Sequence, residues 1–201
     1  MIEQGSPEWF ALRAGKVTAS RVSDVMAKTT TAAYQNYMAD LIAERLTSVK
    51  TESFTNAAMQ WGVDHEAQAR VEYEVKTGSL VEQVAFVDHP TIPMFGCSPD
   101  GYVGEDGLIE IKCPNTSTHI DYIRQDKAPT KYVNQMQCQM AVTGRKWCDF
   151  VSFDPRLPDG LQLFIVRLER DDEYISKMES VVQEFLNEVN SAVIGLKEKA
   201  K

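Results

Sequence analysis

Through the first third of the chain, apolar positions recur at a helical period. Ser6-Pro7 offers an N-cap followed by proline at the first helical position, and Gly15 closes a short helix over 7–14. A second helical start is predicted at Thr18, running through Val22, Val25 and Met26. Tyr34, Tyr37, Met38, Leu41, Ile42 and Leu46 then mark a longer helix, and 56–76 a further one with Gly78 as its stop.

From residue 80 the texture becomes that of strands, predicted over 80–87, 95–98, 102–103 and 108–112. Gly104-Glu105-Asp106-Gly107 reads as a hairpin turn between the last two. Helices are predicted over 118–124 and 131–142, the second ended by Gly144. Strands over 147–153 and 161–168 flank a turn at 154–160. Asp171 or Asp172 caps a final helix whose apolar line is Tyr174, Met178, Val181, Val182, Phe185, Leu186 and Val189, with 197–201 expected to fray. This order predicts an α/β fold, a central mixed β-sheet flanked by helices. The expected organisation is one domain over 1–201: a helical part at 6–78, a sheet-containing core at 80–168 and a C-terminal helix at 171–196.

Composition narrows the options. At 201 residues, with 43% apolar and 25% charged, the chain has the make-up of a soluble globular protein. No stretch approaches ~20 consecutive apolar residues, and Met1–Gly5 lacks a secretory pattern, so no membrane association and a cytoplasmic address are expected. Cys97, Cys113, Cys138 and Cys148 form no C-x-x-C pair and read as buried thiols rather than zinc or iron–sulfur ligands. The net charge of −8 argues superficially against nucleic acid. Much of that acid lies between Glu169 and Glu188, however, on what reads as the solvated face of the last helix. Net charge therefore leaves the question open.

The chemistry is concentrated in Cys97-Ser98-Pro99-Asp100-Gly101 and Ile109-Glu110-Ile111-Lys112-Cys113-Pro114. Glu110 and Lys112 lie two apart on one strand and leave the same face. The hairpin lets the chain double back, which would set Asp100 beside Glu110. Such a set suits phosphodiester hydrolysis: hard oxygen ligands select Mg²⁺ or Mn²⁺, and two carboxylates can hold one or two ions ~3.5–4 Å apart. A solvated ion pair on a strand surface is the plainer reading of the same spacing. Leu108, Ile109 and Ile111 favour a strand at the sheet centre instead. Glu66 shares a small or apolar helix face with Gly62, Ala69 and Tyr73; it is either a third acid of the site or an exposed partner of Arg70. Gln135 and Gln137 lie in an amphipathic helix, as surface or as contacts to a substrate phosphate.

Asp100, Glu110 and Lys112 fit the signature of the restriction-endonuclease-like, PD-(D/E)xK nuclease superfamily. More narrowly, the chain resembles the phage lambda exonuclease family of YqaJ-like viral recombinases. Trp9 with 12–20, Trp61-Gly62 with Glu66, 97–101, 110–114, Tyr132 with Gln135 and Gln137, and Asp154-Pro155-Arg156 carry the resemblance. It implies a restriction-endonuclease-like core and a Mg²⁺-dependent 5′-to-3′ exonuclease on double-stranded DNA ends, Mn²⁺ being a possible substitute. The 3′ single-stranded tails would serve homologous recombination by single-strand annealing. A homotrimeric ring and a single-strand annealing protein as partner are implied too. By matching positions, Asp100, Glu110 and the Ile111 carbonyl would bind metal, Lys112 would assist the water, and Glu66 would complete the acidic site. Arg13, Ser20 and Ser98 would grip the 5′-terminal phosphate with Gln135 nearby. Met59 is either a wedge parting the end base pairs or a buried core methionine. The loop at 28–33 is less basic than in the family. Alternatives are another nuclease of the superfamily (restriction endonuclease or RecB/Cas4-type) and a catalytically inactive DNA-end-binding protein.

Overall fold

A computed structural model of the chain describes residues 2–51 and 57–200. Helix α1 (Pro7–Arg13) opens as predicted, the Ser6 hydroxyl accepting from the Trp9 N–H at 3.2 Å. Then come β1 (Val17–Thr18), α2 (Val22–Val25), α3 (Ala32–Thr47) and α4 (Ala57–Thr77). Asn56, the expected start of α4, lies outside the described residues. Strands β2 (Val81–Glu82), β3 (Val87–Asp88), β4 (Phe95–Cys97), β5 (Gly101–Val103) and β6 (Gly107–Lys112) follow. After them come α5 (Thr116–Gln125), α6 (Thr130–Thr143), β7 (Trp147–Phe153), β8 (Leu163–Glu169) and α7 (Asp172–Lys199).

The fold is mixed α/β, and its strands form two sheets. One has the order β1-β4-β3 and the other β2-β5-β6-β7-β8. Each mixes directions: β1 runs parallel to β4, and β6 parallel to β7. The stretch read as one strand over 80–87 is two strands in different sheets. Val81 pairs with Val103, whereas Val87 pairs with Cys97. Between them, side chains take the backbone carbonyls: Gln4 bonds Val84 at 2.7 Å and Trp9 bonds Ala85 at 2.9 Å.

Three smaller corrections have similar causes. Thr18 belongs to a strand rather than a helix start, since Val17 and Thr18 pair with Phe95 and Gly96. A single 3-10 turn, Ala19–Arg21, then leads into α2. The last strand starts at Leu163 because Asp159–Leu161 forms another such turn. Helix α7, capped by Asp171, runs on to Lys199 instead of fraying at 197; Lys201 is not described. Among the described residues no helix is long and apolar enough to cross a membrane.

Strand β6 lies inside the larger sheet and its residues point alternately to two cores. Leu108 belongs with Phe150 and Met136 to the larger core, beneath α3, α6 and α7. Ile109 and Ile111 belong with Val151, Ala69 and Tyr73 to the smaller one, beneath α4. This alternation places Glu110 and Lys112 on the α6 side.

Candidate active site

Glu110 has no exposed surface, and its register partner on β7 is Phe150. A buried carboxylate is costly unless its oxygens are satisfied. Two amides one turn apart on α6 do this: Gln135 Nε2 donates to Oε1 and Gln139 Nε2 to Oε2, each at 2.6 Å. The Lys112 ammonium also pairs with Oε1.

Asp100 comes up against the same strand. Its Oδ2 accepts from the Ile111 N–H at 2.6 Å, and one residue later Gly101 pairs with Ile109. Only glycine fits there, since a Cβ at 101 would lie 2.2 Å from Val81 Cγ1. Burial, then the negative charges of Glu110 and Glu66, push the Asp100 carboxyl well above the usual range. Lys112 and the Ile111 N–H pull the other way but do not prevail. For Lys112 itself, burial disfavours the ammonium, yet Glu110 and Asp100 hold it charged and raise its pKa.

A cleft of about 490 Å³ opens beside these groups. Met59, Gly62 and Glu66 of α4 form one wall; Lys112, Pro114 and Tyr132 stand opposite. Glu66 forms the ion pair with Arg70 that its spacing predicts, at 2.7 Å, and its side chain also lines the cleft, near enough to raise Asp100. Met59 is 53% exposed, so the buried-methionine reading is set aside.

The oxygen donors here, two carboxylates with the adjacent main chain, suit a hard cation rather than a soft one. Burial first, and then the Glu110 charge, disfavour the ionised Asp100 carboxyl, and a cation held there would favour it. Among the described residues, no three His, Cys, Asp or Glu side chains form a cage by themselves. The four cysteines are free and buried, as expected, and Cys113 at the cleft is pushed up to about 12 by burial and neighbouring carboxylates.

A second cluster involves α1. Arg13 donates to Ser98 Oγ at 3.1 Å and to Ser20 Oγ at 3.4 Å. Its guanidinium lies 4.1 Å from the Trp9 ring centroid, and the Trp9 indole N–H also reaches Ser98 Oγ, at 3.0 Å. Arg13, Ser20 and Ser98 are thus brought together, with Ser98 only two residues before Asp100. Gln135, expected near this cluster, turns to Glu110 instead. Gln137 points elsewhere, bonding the Glu169 carbonyl and the Asp171 N–H ahead of α7.

Gln139 was not anticipated from the sequence. Its only signal is the four-residue spacing from Gln135, which puts both amides on one helix face.

No curated protein matches the chain significantly. Two crystal structures of LHK-Exo, described as an alkaline exonuclease from Laribacter hongkongensis, each match with 55% identity and a TM-score of 0.92. Each match covers 97% of this chain and 98% of the other, and one of the two structures is a complex with dAMP. A phage-related exonuclease from Haemophilus somnus 129PT shares the fold, with a TM-score of 0.70 at 18% identity over 88% of this chain and 96% of its own. Residues 8–146 match the YqaJ-like viral recombinase domain, and the chain belongs to that family.

Proposed function

We propose that this chain is a metal-dependent exonuclease that attacks double-stranded DNA ends, working from 5′ to 3′ and leaving a 3′ single-stranded tail. The observation that carries this reading is the meeting of Asp100 and Glu110 across the β5–β6 hairpin, with Lys112 bonded to Glu110 beside an open cleft. Identity of 55% to a protein described as an alkaline exonuclease supports it, and dAMP is the kind of mononucleotide an exonuclease releases.

Asp100, Glu110 and the Ile111 carbonyl would hold Mg²⁺, or Mn²⁺ in its place. A cation bound there supplies Lewis acidity toward the scissile phosphate and makes water a stronger nucleophile. The remaining work falls to side chains. The Lys112 ammonium offsets charge that builds on the phosphoryl oxygens. Gln135 and Gln139 hold the Glu110 carboxylate without neutralising it, and Glu66, steadied by Arg70, adds a third acid. Arg13, Ser20 and Ser98 would take the 5′-terminal phosphate. Met59, exposed on the cleft wall, would part the end base pair. Family membership further supports a homotrimeric ring around DNA and a single-strand annealing protein as partner in recombination.

Singly end-labelled linear duplex tests the reading. With Mg²⁺, label should leave the 5′ end as mononucleotide, while a closed circle stays intact. Chelation or Asp100→Ala should abolish release. Equal cutting of the circle, or release confined to the 3′ end, would overturn the proposal.

A further inference from the structure

The cleft wall formed by 57–66 of α4 contains no buried residue. The buried positions of this helix, Ala69 and Tyr73, both lie in its second half. There Tyr73 donates to the buried Asp149 at 2.8 Å, and Arg167 holds the same carboxylate from β8. A helix docks through its buried stripe, and this stripe stops before the cleft. The second half of α4 is therefore anchored to the sheet by buried side chains, while the first half meets the smaller core through the partly buried Trp61.

The turn Asp154-Pro155-Arg156 restrains that half further. The Arg156 guanidinium lies 4.3 Å from the Trp61 ring centroid, and its Nη2 donates to the Pro114 carbonyl at 3.2 Å. Trp61 belongs to α4; Pro114 ends the segment that lines the opposite wall. One planar cation thus joins α4 to the segment that lines the opposite wall of the cleft. Its own position is fixed by fully buried Asp154, which accepts from Nε at 2.7 Å and from Nη2 at 3.0 Å. His65 also stacks on Trp61, with ring centroids 3.7 Å apart. Among the described residues the indole N–H is buried without a hydrogen-bond partner, so the ring is held by stacking and by its packing against the smaller core.

We propose that Arg156 is a positioning residue that, by holding Trp61, latches the less deeply buried half of α4 across the cleft, and thereby sets where Glu66 stands relative to Asp100 and Lys112. Glu66 lies five residues beyond Trp61 on the same helix, so displacement at the latch carries to it. The expected effect on rate rests on the nuclease reading, whereas the latch itself concerns only the chain. A guanidinium suits this task because one flat group can fork onto a carboxylate while stacking on an aromatic ring. Lysine keeps the charge and does neither.

The test uses the full chain with Arg156→Lys and Arg156→Ala, and two readouts. Amide hydrogen exchange needs no catalysis. Over 57–66 it should accelerate about tenfold or more in both variants, while 69–77 keep their protection. Trp61→Leu should give the same signature from the other side of the contact, which decides the matter should Arg156→Ala fold poorly. Unchanged exchange over 57–66 overturns the latch, whether or not the chain cuts DNA. On linear duplex with Mg²⁺, kcat should fall about tenfold in both Arg156 variants with KM for DNA nearly unchanged. If lysine restores kcat, or the loss is confined to KM and shrinks as salt rises, the 44% exposed guanidinium contacts DNA phosphate directly and the latch is overturned. Failure of the unsubstituted protein to release nucleotide sinks only the nuclease reading, and hydrogen exchange then decides the latch alone.

Discussion

Gln139 and Glu110 are both fully buried, and the Gln139 amide donates to Glu110 Oε2 at 2.6 Å. Gln135 holds the other oxygen from one turn earlier. A neutral amide satisfies a carboxylate while leaving its charge intact, which a metal-binding acid needs. Gln139→Leu keeps the approximate volume but leaves Oε2 without its donor. We expect a loss of about 1–3 kcal/mol in urea unfolding and at least tenfold slower nucleotide release. Gln139→Glu, which sets a second carboxylate against the first, should do worse on both measures. Full activity in Gln139→Leu would show that Gln135 and Lys112 suffice.

Gly101 makes a sharper case for backbone. A Cβ there would meet Val81 Cγ1 at 2.2 Å and the Glu82 carbonyl at 3.2 Å. Gly101→Ala must therefore push β5 from β2 or shift its pairing with Ile109, one residue from Asp100. The expected cost is about 1–3 kcal/mol, with nucleotide release reduced far more than stability alone explains. Val81→Ala in the same chain removes the clashing methyl groups and should recover part of the activity. No recovery would place the damage elsewhere.

The Asp100–Glu110–Lys112 set was legible because alternation along β6 is a local signal and the Gly104–Gly107 turn announces the hairpin. Arg13, Ser20 and Ser98 came from the family resemblance, since nothing in their spacing distinguishes them from surface residues. What escaped was set from a distance. Residues 80–87 read as one strand because Val81 and Val87 both favour extended backbone. The chain switches sheets there because Gln4 and Trp9, more than 70 residues earlier, take the intervening carbonyls. Gln139 was hidden for another reason. Every residue from Met136 to Val142 is buried, so no polar stripe separates a working glutamine from packing.

Asp154 gives the chain an acid-sensitive element apart from the carboxylates of the cleft. Burial alone would raise its pKa, but hydrogen bonds from Arg156 and Thr116 with the Arg156 charge bring it down to about 2. A carboxyl depressed in the folded state contributes stability that is complete above its unfolded value, near 3.9, and is lost as pH falls through 2. Its contribution is about 2 kcal/mol at neutral pH. Urea midpoints should therefore drop between pH 4 and about 2, and Asp154→Asn should be less stable at pH 6 with a shallower acid limb. Parallel acid limbs in the two proteins would assign the pH dependence to other groups.

Arg13 is the last case, and its surroundings argue for an anionic ligand. Among the described residues it forms no ion pair. Its contacts are two serine hydroxyls and the face of Trp9, and burial lowers its pKa. A partly buried guanidinium with no carboxylate at ion-pair distance among the described residues is open to an anion, and a terminal phosphate would complete it through paired N–H donors. A 5′-phosphorylated duplex should therefore be degraded about tenfold faster than its 5′-hydroxyl counterpart. Arg13→Ala should erase the difference by slowing only the phosphorylated substrate, and Arg13→Lys should fall between, because an ammonium keeps the charge without the fork. Trp9→Phe should act in the same direction more weakly, since it removes the indole donor to Ser98 but leaves a ring beneath Arg13. If the unsubstituted protein degrades both ends at one rate, this cluster serves α1 docking rather than substrate. Arg13→Ala should then lower the unfolding midpoint without altering end preference.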